Sequence, residues 1–279
     1  MDQQVILALM QAGAVARGFE GKVANDGKVD DTAMPHDTPE LRERRAAKTT
    51  VDVVVQDVLL IAAAAYWGSG LSLDAEEESS MRRLFRRSDS ATLVIDPIDG
   101  TMEYLLGRDS YSICLGLASR GRFGPVYIYF PRRDQLYWTS EQDEALMAAG
   151  ASIKSPLEVT HIKPQLSDSN IVYVNGRVPV EAQNELRDLG LTIVDDTEND
   201  RGAPNCLIDC INGRALCYVS HTRQMRDIML GAVIAAIPQG YALNWEGKAL
   251  EWPNGGRVPR AVFGVGHLSS KIWSILKKY

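Results

Sequence analysis

The chain of 279 residues is 45% hydrophobic and 24% charged, and its formal net charge is −6 at pH 7. This composition is that of an ordinary globular protein with one large domain or two modest ones. The acidic balance argues against a nucleic-acid polymer as the partner, because a protein that binds that backbone carries a basic surface. The four cysteines are few for this length, and they predict buried thiols in a reducing cytoplasm.

Membrane association is not expected from the sequence either. The longest apolar run, residues 53–67, is interrupted by Gln56 and Asp57, whereas a membrane-spanning helix needs about 20 apolar residues. Asp2 stands where a secretory signal would carry a basic residue, so export is not expected.

Hydrophobic periodicity predicts helices over residues 3–17 and 48–67, separated by a long polar loop over residues 20–45. The apolar run 93–95 then predicts a short strand. Pro97 is expected to end this strand, because proline has no N–H group to give to a ladder.

Three strand-like runs joined by short turns follow, and they predict an antiparallel meander over residues 110–120, 123–130 and 135–138. The small-residue segment 141–156 is typical of a loop. It sets the predicted boundary between a first half, residues 1–150, and a second half, residues 151–279.

In the second half strands and helices alternate, which predicts a sheet covered by helices. The predicted strands are residues 170–174, 191–194, 215–219, 241–244 and 261–265, and the predicted helices are residues 179–189, 203–212, 225–237 and 267–278.

Two carboxylates lie at the end of the first predicted strand, in the run D-P-I-D-G-T over residues 96–101. A helical turn predicted over residues 102–106 would then offer free N–H groups and a positive dipole end, which suit a phosphate. Asp96 and Asp99 would repel that phosphate unless cations lay between them, so Mg²⁺ held by hard oxygen ligands fits the pattern. The alternative is an ordinary polar turn, since Asp and Gly are common turn formers.

Other acids admit two interpretations each. The acidic run over residues 74–79 could return beside Asp96, or it could be a solvated surface. Asp52 lies in the first turn of the second predicted helix, where the helix itself favours a negative charge. Its role could therefore be structural rather than catalytic. For Asp227 the alternative to a metal ligand is a helix N-cap.

The motif over residues 96–101 resembles the signature of the inositol monophosphatase superfamily of Mg²⁺-dependent, lithium-sensitive phosphatases. Three further segments resemble motifs of that superfamily in the same order along the chain. They are T-T-V-D at residues 49–52, E-E-S at residues 77–79 (or E-E at residues 76–77), and R-D-I-M-L-G-A at residues 226–232. Two departures from the superfamily pattern are present. Met225 and Arg226 stand where an aromatic pair is usual, and Leu216 stands at a position that is often acidic.

The resemblance implies a layered α-β-α-β-α sandwich of the α+β or α/β class, with a site for two or three Mg²⁺ ions. Asp96 would bridge two metals, and Glu77 with the backbone carbonyl of Ile98 would complete the first position. Asp99 and Asp227 would hold the second.

Which of the neighbouring glutamates Glu76, Glu77 and Glu78 bind metal is left open, and Glu103 is an additional candidate. Dimers are common in the superfamily, so a homodimer is a further expectation from the resemblance.

The same resemblance implies that Thr101, with its hydroxyl near Asp52 and a glutamate such as Glu77, orients the attacking water. The N–H groups of Gly100 and Thr101 would hold phosphate oxygens. No covalent phosphoenzyme is implied.

The implied substrate is a small phosphomonoester similar to inositol monophosphate. The alternative is a 3′(2′),5′-bisphosphate nucleotidase acting on adenosine 3′,5′-bisphosphate. Glu103 and Tyr104 favour it, because an acidic-aromatic pair commonly follows the motif threonine in that branch. A third reading is an inactive metal-binding scaffold, and the intact set of acids and threonine argues against it.

Overall fold

The computed structural model describes residues 2–27, 38–39, 42–43, 46–88, 90–140, 142–150, 157–196 and 202–279. Two long helices open the chain, α1 (Asp2–Phe19) and α2 (Thr50–Trp67), close to their predicted bounds. Much of the predicted loop 20–45 lies outside the described residues.

Helix α2 differs from the sequence expectation in one respect. Among the described helices it is the one long and apolar enough to cross a membrane, judged by length and composition only. In the fold it packs against α1 and the first sheet, and Val55, Leu59 and Leu60 are buried there.

Within the described residues the first sheet has seven strands in sequential order. They are β1 (Ser72–Ala75), β2 (Thr92–Asp99), β3 (Ser112–Ser119), β4 (Arg122–Phe130), β5 (Gln135–Thr139), β6 (Ala145–Ala149) and β7 (Thr160–His161). Strand β1 pairs with β2 in parallel and the later pairs are antiparallel, so the predicted meander is confirmed.

Strand β6 corrects the prediction that residues 141–156 are a loop. Its small residues have little intrinsic strand preference, but Ala145–Ala149 pairs in register with Gln135–Thr139 of β5. The prediction missed this pairing because it depends on the neighbouring strand rather than on local sequence. The sheet also continues to residue 161.

Strand β2 does not end at Pro97, contrary to the prediction. It runs to Asp99, and its register against β3 shifts between Asp96 and Asp99. Proline is tolerated in strands at such irregularities, because no ladder hydrogen bond is lost there. The short helix α3 (Thr101–Leu105) follows at once, after Gly100 has turned the chain with a φ of 89°.

In the described part of the chain the second sheet has five strands, in the order β12, β14, β10, β8 and β9. These are β8 (Ile171–Val174), β9 (Thr192–Asp195), β10 (Cys217–Ser220), β12 (Gly240–Asn244) and β14 (Ala261–Val265). The helices are α4 (Val180–Asp188), α5 (Gly202–Ile211), α6 (Leu230–Ala236) and α7 (Ser270–Leu276). A two-stranded ribbon joins β11 (Arg223–Gln224) to β13 (Arg257–Val258). The predicted alternation is confirmed, except that the predicted helix 225–237 begins as a 3₁₀ turn, Met225–Ile228.

The described residues form five layers of helices and sheets, which are held together by three clusters of buried side chains. The first lies between α1, α2 and one face of the first sheet, and the second lies between that sheet's other face, α5, α6 and the second sheet. The third lies between the second sheet and helices α4 and α7. Successive side chains of strand β2 point to opposite faces of the first sheet, so Leu93 and Ile95 enter the first cluster and Val94 enters the second. The predicted layered sandwich is confirmed.

Candidate active site

Parallel pairing of β1 with β2 brings the acidic run to the motif. Ala75, the last residue of β1, lies opposite Ile95 of β2, so Glu76 follows β1 beside Asp96. The expectation that the chain returns beside Asp96 is confirmed. The missed strand β1 is the element that places it there.

Asp96 and Asp99 hold shielded carboxylate oxygens at the bulged end of β2. Asp96 is buried, and Asp99 is half-buried. Asp96 Oδ1 and Asp99 Oδ2 are both buried and without a hydrogen-bond partner. Burial raises the pKa of each carboxyl well above its ordinary range, and the charge of Glu76 adds to the effect at Asp96, as that of Asp227 does at Asp99.

Asp52 is both a helix cap and a partner of the motif threonine. One carboxylate oxygen, Oδ2, accepts hydrogen bonds from the Thr49 amide at 2.9 Å and the Thr49 hydroxyl at 2.6 Å, which closes a capping box on α2. The other, Oδ1, lies 3.2 Å from the Thr101 hydroxyl. That hydroxyl is also 3.0 Å from the Ile98 carbonyl oxygen. The two interpretations of Asp52 are therefore compatible.

Burial raises the pKa of Asp52 from 3.8 to about 6, although its bonds with Thr49 oppose the rise. The ionised form of Asp52 therefore destabilises the fold. This lost stability is regained as the pH falls below about 6 and Asp52 takes up a proton. Without divalent cations we expect thermal stability to rise on acidification from pH 7 to pH 5, with at most about 1.4 kcal/mol from this group, because pH 5 lies about one unit below the folded pKa.

Thermal unfolding in EDTA across this pH range tests the expectation. The Asp52→Asn protein, which has no proton to gain at this position, should show a smaller stability increase than the wild type. An identical pH dependence in both proteins would contradict the assignment.

Three successive glutamates face in different directions. Glu76 is half-buried. Burial is the main cause of the raised pKa of Asp96 and of Asp52, and the charge of Glu76 adds to the rise at both. The Glu77 carboxylate is buried against Lys48, with Nζ to Oε2 at 2.5 Å. Glu78 is 88% exposed and pairs with Arg82. Among the three, Glu76 is thus the glutamate whose charge raises the pKa of Asp96 and of Asp99.

Glu77 is also fixed through its backbone. Its N–H group donates to Gln56 Oε1 at 2.8 Å, and its carbonyl oxygen accepts from Gln56 Nε2 at 2.6 Å. Gln56 is buried on α2, so the helix that carries Asp52 also fixes the acidic run. Lys48 and Gln56 were not singled out in the sequence, although both lie close to the motif T-T-V-D.

Glu103 occupies a different environment. It is buried on α3 and its carboxylate accepts a 2.9 Å bond from Arg108 Nη1. The Ser110 hydroxyl lies 3.5 Å from the same oxygen. The structure therefore pairs this candidate with a cation of the following loop.

Asp227 lies in the 3₁₀ turn before α6, and two arginines contact it. Arg223 Nε lies 3.1 Å from Asp227 Oδ2, and Arg226 Nε lies 4.0 Å from Oδ1. The arginines in turn bind Asp196 and Asp74. Sequence reasoning noted Arg226 only as part of the motif and as a departure from it, included Asp74 only in the acidic run, and missed Arg223 and Asp196.

Cys114 and Arg120 have the C-x₅-R spacing of cysteine-dependent phosphatases, which the sequence reasoning overlooked. Cys114 lies on strand β3 rather than in a phosphate-binding loop. Burial raises the pKa of the Cys114 thiol well above its usual range, and the charges of Asp99 and Asp96 add to the rise. A thiolate nucleophile is disfavoured there.

The donor set fits a hard divalent cation. Among the described residues no three His, Cys, Asp or Glu side chains already converge in the manner of a metal site. Asp96 and Asp99 nevertheless each keep a buried oxygen without a partner, and such oxygens are costly unless a proton or a cation satisfies them. Carboxylate oxygens at a sharp turn are ligands that Mg²⁺ accepts.

The layered fold and its acidic turn are those of the metal-dependent phosphatase class that the sequence indicates. A sequence profile of the inositol monophosphatase family matches residues 6–259, and the chain belongs to that family. The prediction of a phosphatase of this superfamily is confirmed at the level of the family.

Solved structures share the fold at low sequence identity. A staphylococcal inositol monophosphatase complexed with products has a TM-score of 0.72 at 16% identity, covering 98% of this chain and 93% of that one. An inositol monophosphatase/NADP phosphatase complexed with Mg²⁺ and phosphate has a TM-score of 0.71 at 18% identity, covering 100% and 95%. A Thermotoga maritima inositol monophosphatase has a TM-score of 0.68 at 17% identity, covering 98% and 95%.

Sequence similarity to curated proteins is more local. A candidate Nus factor SuhB from Neisseria meningitidis is 35% identical over 54 residues. The match spans 19% of this chain and about one fifth, 21%, of that relative.

Proposed function

We propose that this protein hydrolyses a small phosphomonoester with the help of bound Mg²⁺, by direct attack of water on phosphorus. The observation that carries the proposal is the pair of buried, unpartnered oxygens on Asp96 and Asp99 beside the hydrogen-bonded pair Asp52 and Thr101. A purely structural turn would leave two shielded carboxylates uncompensated, and this arrangement is unfavourable.

In this proposal Asp96, Asp99 and a neighbouring glutamate hold the cations, and Asp227 contributes to the second position. Bound Mg²⁺ would supply a water of lowered pKa and would neutralise charge on the phosphate. The Ile98 carbonyl is a further candidate ligand, although the Thr101 hydroxyl lies within hydrogen-bond distance of it.

Thr101 and Asp52 would orient the water and take up its proton. The Thr101 hydroxyl has one proton and two acceptors within 3.2 Å, the Asp52 carboxylate and the Ile98 carbonyl. While it donates to either of them, its lone pairs remain available to accept a bond from the attacking water. Asp52, with a pKa of about 6, is suited to receive a proton near neutral pH. The Gly100 and Thr101 N–H groups are proposed to hold phosphate oxygens.

Paired glutamine substitutions test which glutamate contributes to the metal site. We expect Glu76→Gln to weaken Mg²⁺ activation about tenfold or more, because it removes a carboxylate whose charge acts on Asp96. Glu77→Gln should mainly lower stability, because it leaves the Lys48 ammonium without its partner.

Activity as a function of Mg²⁺ concentration and thermal unfolding in EDTA separate the two effects. Glu78→Gln serves as the control, since Glu78 is exposed. If Glu77→Gln rather than Glu76→Gln raised the Mg²⁺ requirement, Glu77 would be the ligand and Lys48 would have to move aside.

Inositol monophosphate is our first candidate substrate, since one structural neighbour is a dual-specific inositol monophosphatase/NADP phosphatase bound with D-inositol 1-phosphate. Adenosine 3′,5′-bisphosphate, the substrate of a bisphosphate nucleotidase, is the second candidate, and a cavity of about 690 Å³ favours it. The cavity is lined by Gly107, Arg108, Asp109, Ser110, Arg132, Arg133 and Asn205.

This cavity borders the motif turn. A side chain at Gly100 would lie 3.5 Å from the Ser110 carbonyl oxygen. Three arginines line the cavity, and each pairs with a carboxylate, Arg108 with Glu103, Arg132 with Glu20 and Arg133 with Asp109. A second anionic group of the substrate would contact these arginines by replacing their carboxylate partners. A nucleotide with two phosphates would therefore find charge complementarity there that a monophosphate would leave unused.

Phosphate release with Mg²⁺ should be measured on inositol 1-phosphate, adenosine 3′,5′-bisphosphate and NADP, each with and without Li⁺. Metal-dependent release at about 10⁴ M⁻¹s⁻¹ or more from one of them would establish both reaction and substrate. An Arg132→Met protein should lose activity on the bisphosphate alone if the cavity holds its second phosphate. Release from none of these or other phosphomonoesters would refute the proposal.

A further inference from the structure

The outer layer of the sandwich, formed by α1 and α2, presents an uncharged surface. Among the residues of these helices whose exposure the structure describes, none that is exposed carries a charge. The exposed residues are Gln3, Gln4, Leu7, Gln11, Ala14, Gly18, Phe19, Thr50, Val54, Ile61 and Ala65. Since 24% of the whole chain is charged, this face differs from the rest of the molecule. Depletion of charge is typical of the central part of protein interfaces.

Helix α2 carries an apolar stripe along this surface. Val54, Val58, Ile61 and Ala65 follow one another at spacings of four, three and four residues, so they lie along one line of the helix. Val54 is 48% exposed and Ile61 is 53% exposed, and only 39% of the helix is buried inside the chain. The stripe has the spacing of a helix–helix contact, and no part of the described chain covers it.

The charged side chains that the structure describes on the two helices turn away from this stripe. Arg17 Nη1 donates to the Tyr129 hydroxyl at 2.9 Å and to the Pro131 carbonyl at 2.8 Å. Asp52 is buried in its capping box. Asp57 is half-buried and lies to one side of the stripe. What α1 and α2 offer to the outside is therefore apolar or neutral.

The surface is large enough for a specific contact. Each helix has 18 residues. A helix of this length extends about 27 Å, and packed helices lie about 8–10 Å apart. A face of about 27 Å by about 20 Å covers about 500 Å² on one copy, or about 1,000 Å² in a pair, the size at which specific interfaces begin.

We propose that the α1–α2 face is a docking surface for a second copy of this chain, through an antiparallel contact of α2 with α2. A contact between identical faces around a twofold axis is self-complementary. With the axis between residues 59 and 60, Val54 lies opposite Ala65 of the second copy, and Val58 lies opposite its Ile61. The larger side chains form the centre, and the small Ala65 lets the helices approach closely, as in antiparallel bundles.

Charge favours a second copy over a charged protein partner. The chain has a net charge of −6, so two copies repel each other wherever acids are exposed. The described exposed residues of this face include no acid, so two copies can meet here without burying like charges. A partner with a charged surface would find no opposite charge to complement its own.

A lipid surface fits this face less well. Helices that lie on membranes are rich in lysine and arginine on their polar side, whereas the exposed polar residues here are glutamines and a threonine. Insertion of α2 into a bilayer would also break the bonds between Gln56 and the backbone of Glu77.

The stripe lies on the opposite side of α2 from Asp52 and Gln56, which are both buried. Association through the stripe therefore leaves the proposed active site open. The inference does not depend on the proposed function.

Sedimentation equilibrium of the full chain tests the docking surface. We expect the wild type to form dimers at micromolar concentration. Ile61→Glu should raise the dissociation constant about a hundredfold or more, because a twofold contact buries the new charge twice. Val180→Glu is the matched control, since Val180 is 61% exposed on α4, which packs on the second sheet. It should leave the dissociation constant unchanged.

Cysteine substitution tests the antiparallel arrangement. A mixture of Val54→Cys and Ala65→Cys proteins, exposed to oxidised glutathione, should form a disulfide between copies much more readily than either protein alone. The cysteines of the native chain are buried, so they should not compete in this reaction. Faster cross-linking of Val54→Cys with itself would contradict the antiparallel contact.

Other outcomes would overturn the docking surface itself. A wild type that sediments as a monomer at all concentrations would do so, and its binding to neutral phosphatidylcholine vesicles would then assign the face to a membrane. A folded Ile61→Glu protein that remained as dimeric as the wild type would show that the copies meet elsewhere. If Ile61→Glu did not fold, the cysteine mixture would decide the question.

Discussion

An Asp96→Asn protein is expected to fold but to release phosphate about a thousandfold or more slowly than the wild type. Asparagine has nearly the same volume as aspartate, so the packing at the end of β2 is preserved. What is lost is the negative charge of the carboxylate at the centre of the acidic site, and electrostatic stabilisation of this kind is worth several kcal/mol in the transition state.

The same substitution is expected to raise the melting temperature of the metal-free protein. Burial raises the pKa of Asp96, and nearby Glu76, Asp99 and Asp227 add to the rise, so the ionised side chain is unfavourable when no cation is bound. A neutral amide removes that repulsion. Lower activity with higher metal-free stability is the pattern of a functional residue that costs the fold stability.

Phosphate release at saturating Mg²⁺ and thermal unfolding in EDTA measure the two effects. Asp209→Asn is the matched control, because Asp209 is a buried aspartate whose carboxylate accepts a 2.8 Å bond from the Tyr173 hydroxyl, outside the proposed site. It should retain activity and lose stability. Wild-type turnover in Asp96→Asn would exclude Asp96 as an essential metal ligand.

Local sequence was sufficient to predict the antiparallel meander, the alternation of strands and helices in the second half, and the acidic turn, whereas the layered sandwich followed from the resemblance. The continuous apolar run of Leu93, Val94 and Ile95 predicts a buried strand, and D-P-I-D-G-T predicts the turn. The structure shows the same strand entering two cores and the same turn carrying two shielded carboxylates. Periodicity and turn chemistry act over a few residues, so one chain is enough to read them.

The rest of the site depends on contacts between segments far apart in the chain. Arg226 meets Asp74 across 152 residues, and Arg223 meets Asp196 across 27. Such partners have no local signature, because an arginine in a turn is usually solvated. The direction of Glu76 and Glu77 was equally unreadable, since the pairing of β1 with β2 determines which carboxylate faces Asp96.

Removal of the Thr101 hydroxyl is expected to produce the second large effect. A Thr101→Val protein should lose a factor of about 10² to 10⁴ in kcat, the range typical for a group that positions or transfers a proton. Valine fills nearly the same volume but can neither donate to Asp52 nor accept a bond from water. KM and Mn²⁺ affinity should change little, because the Asp96 and Asp99 carboxylates are untouched.

Thr101→Ser separates chemistry from packing. Serine retains the hydroxyl and loses only a methyl group, so its kcat should remain within about tenfold of the wild type. A purely structural role predicts a different result. The melting temperature would then fall for both variants, and kcat of the folded protein would fall for neither. Steady-state kinetics and thermal unfolding of the two variants, measured side by side, therefore distinguish a hydroxyl that orients the attacking water from one that only bonds to Asp52 and the Ile98 carbonyl.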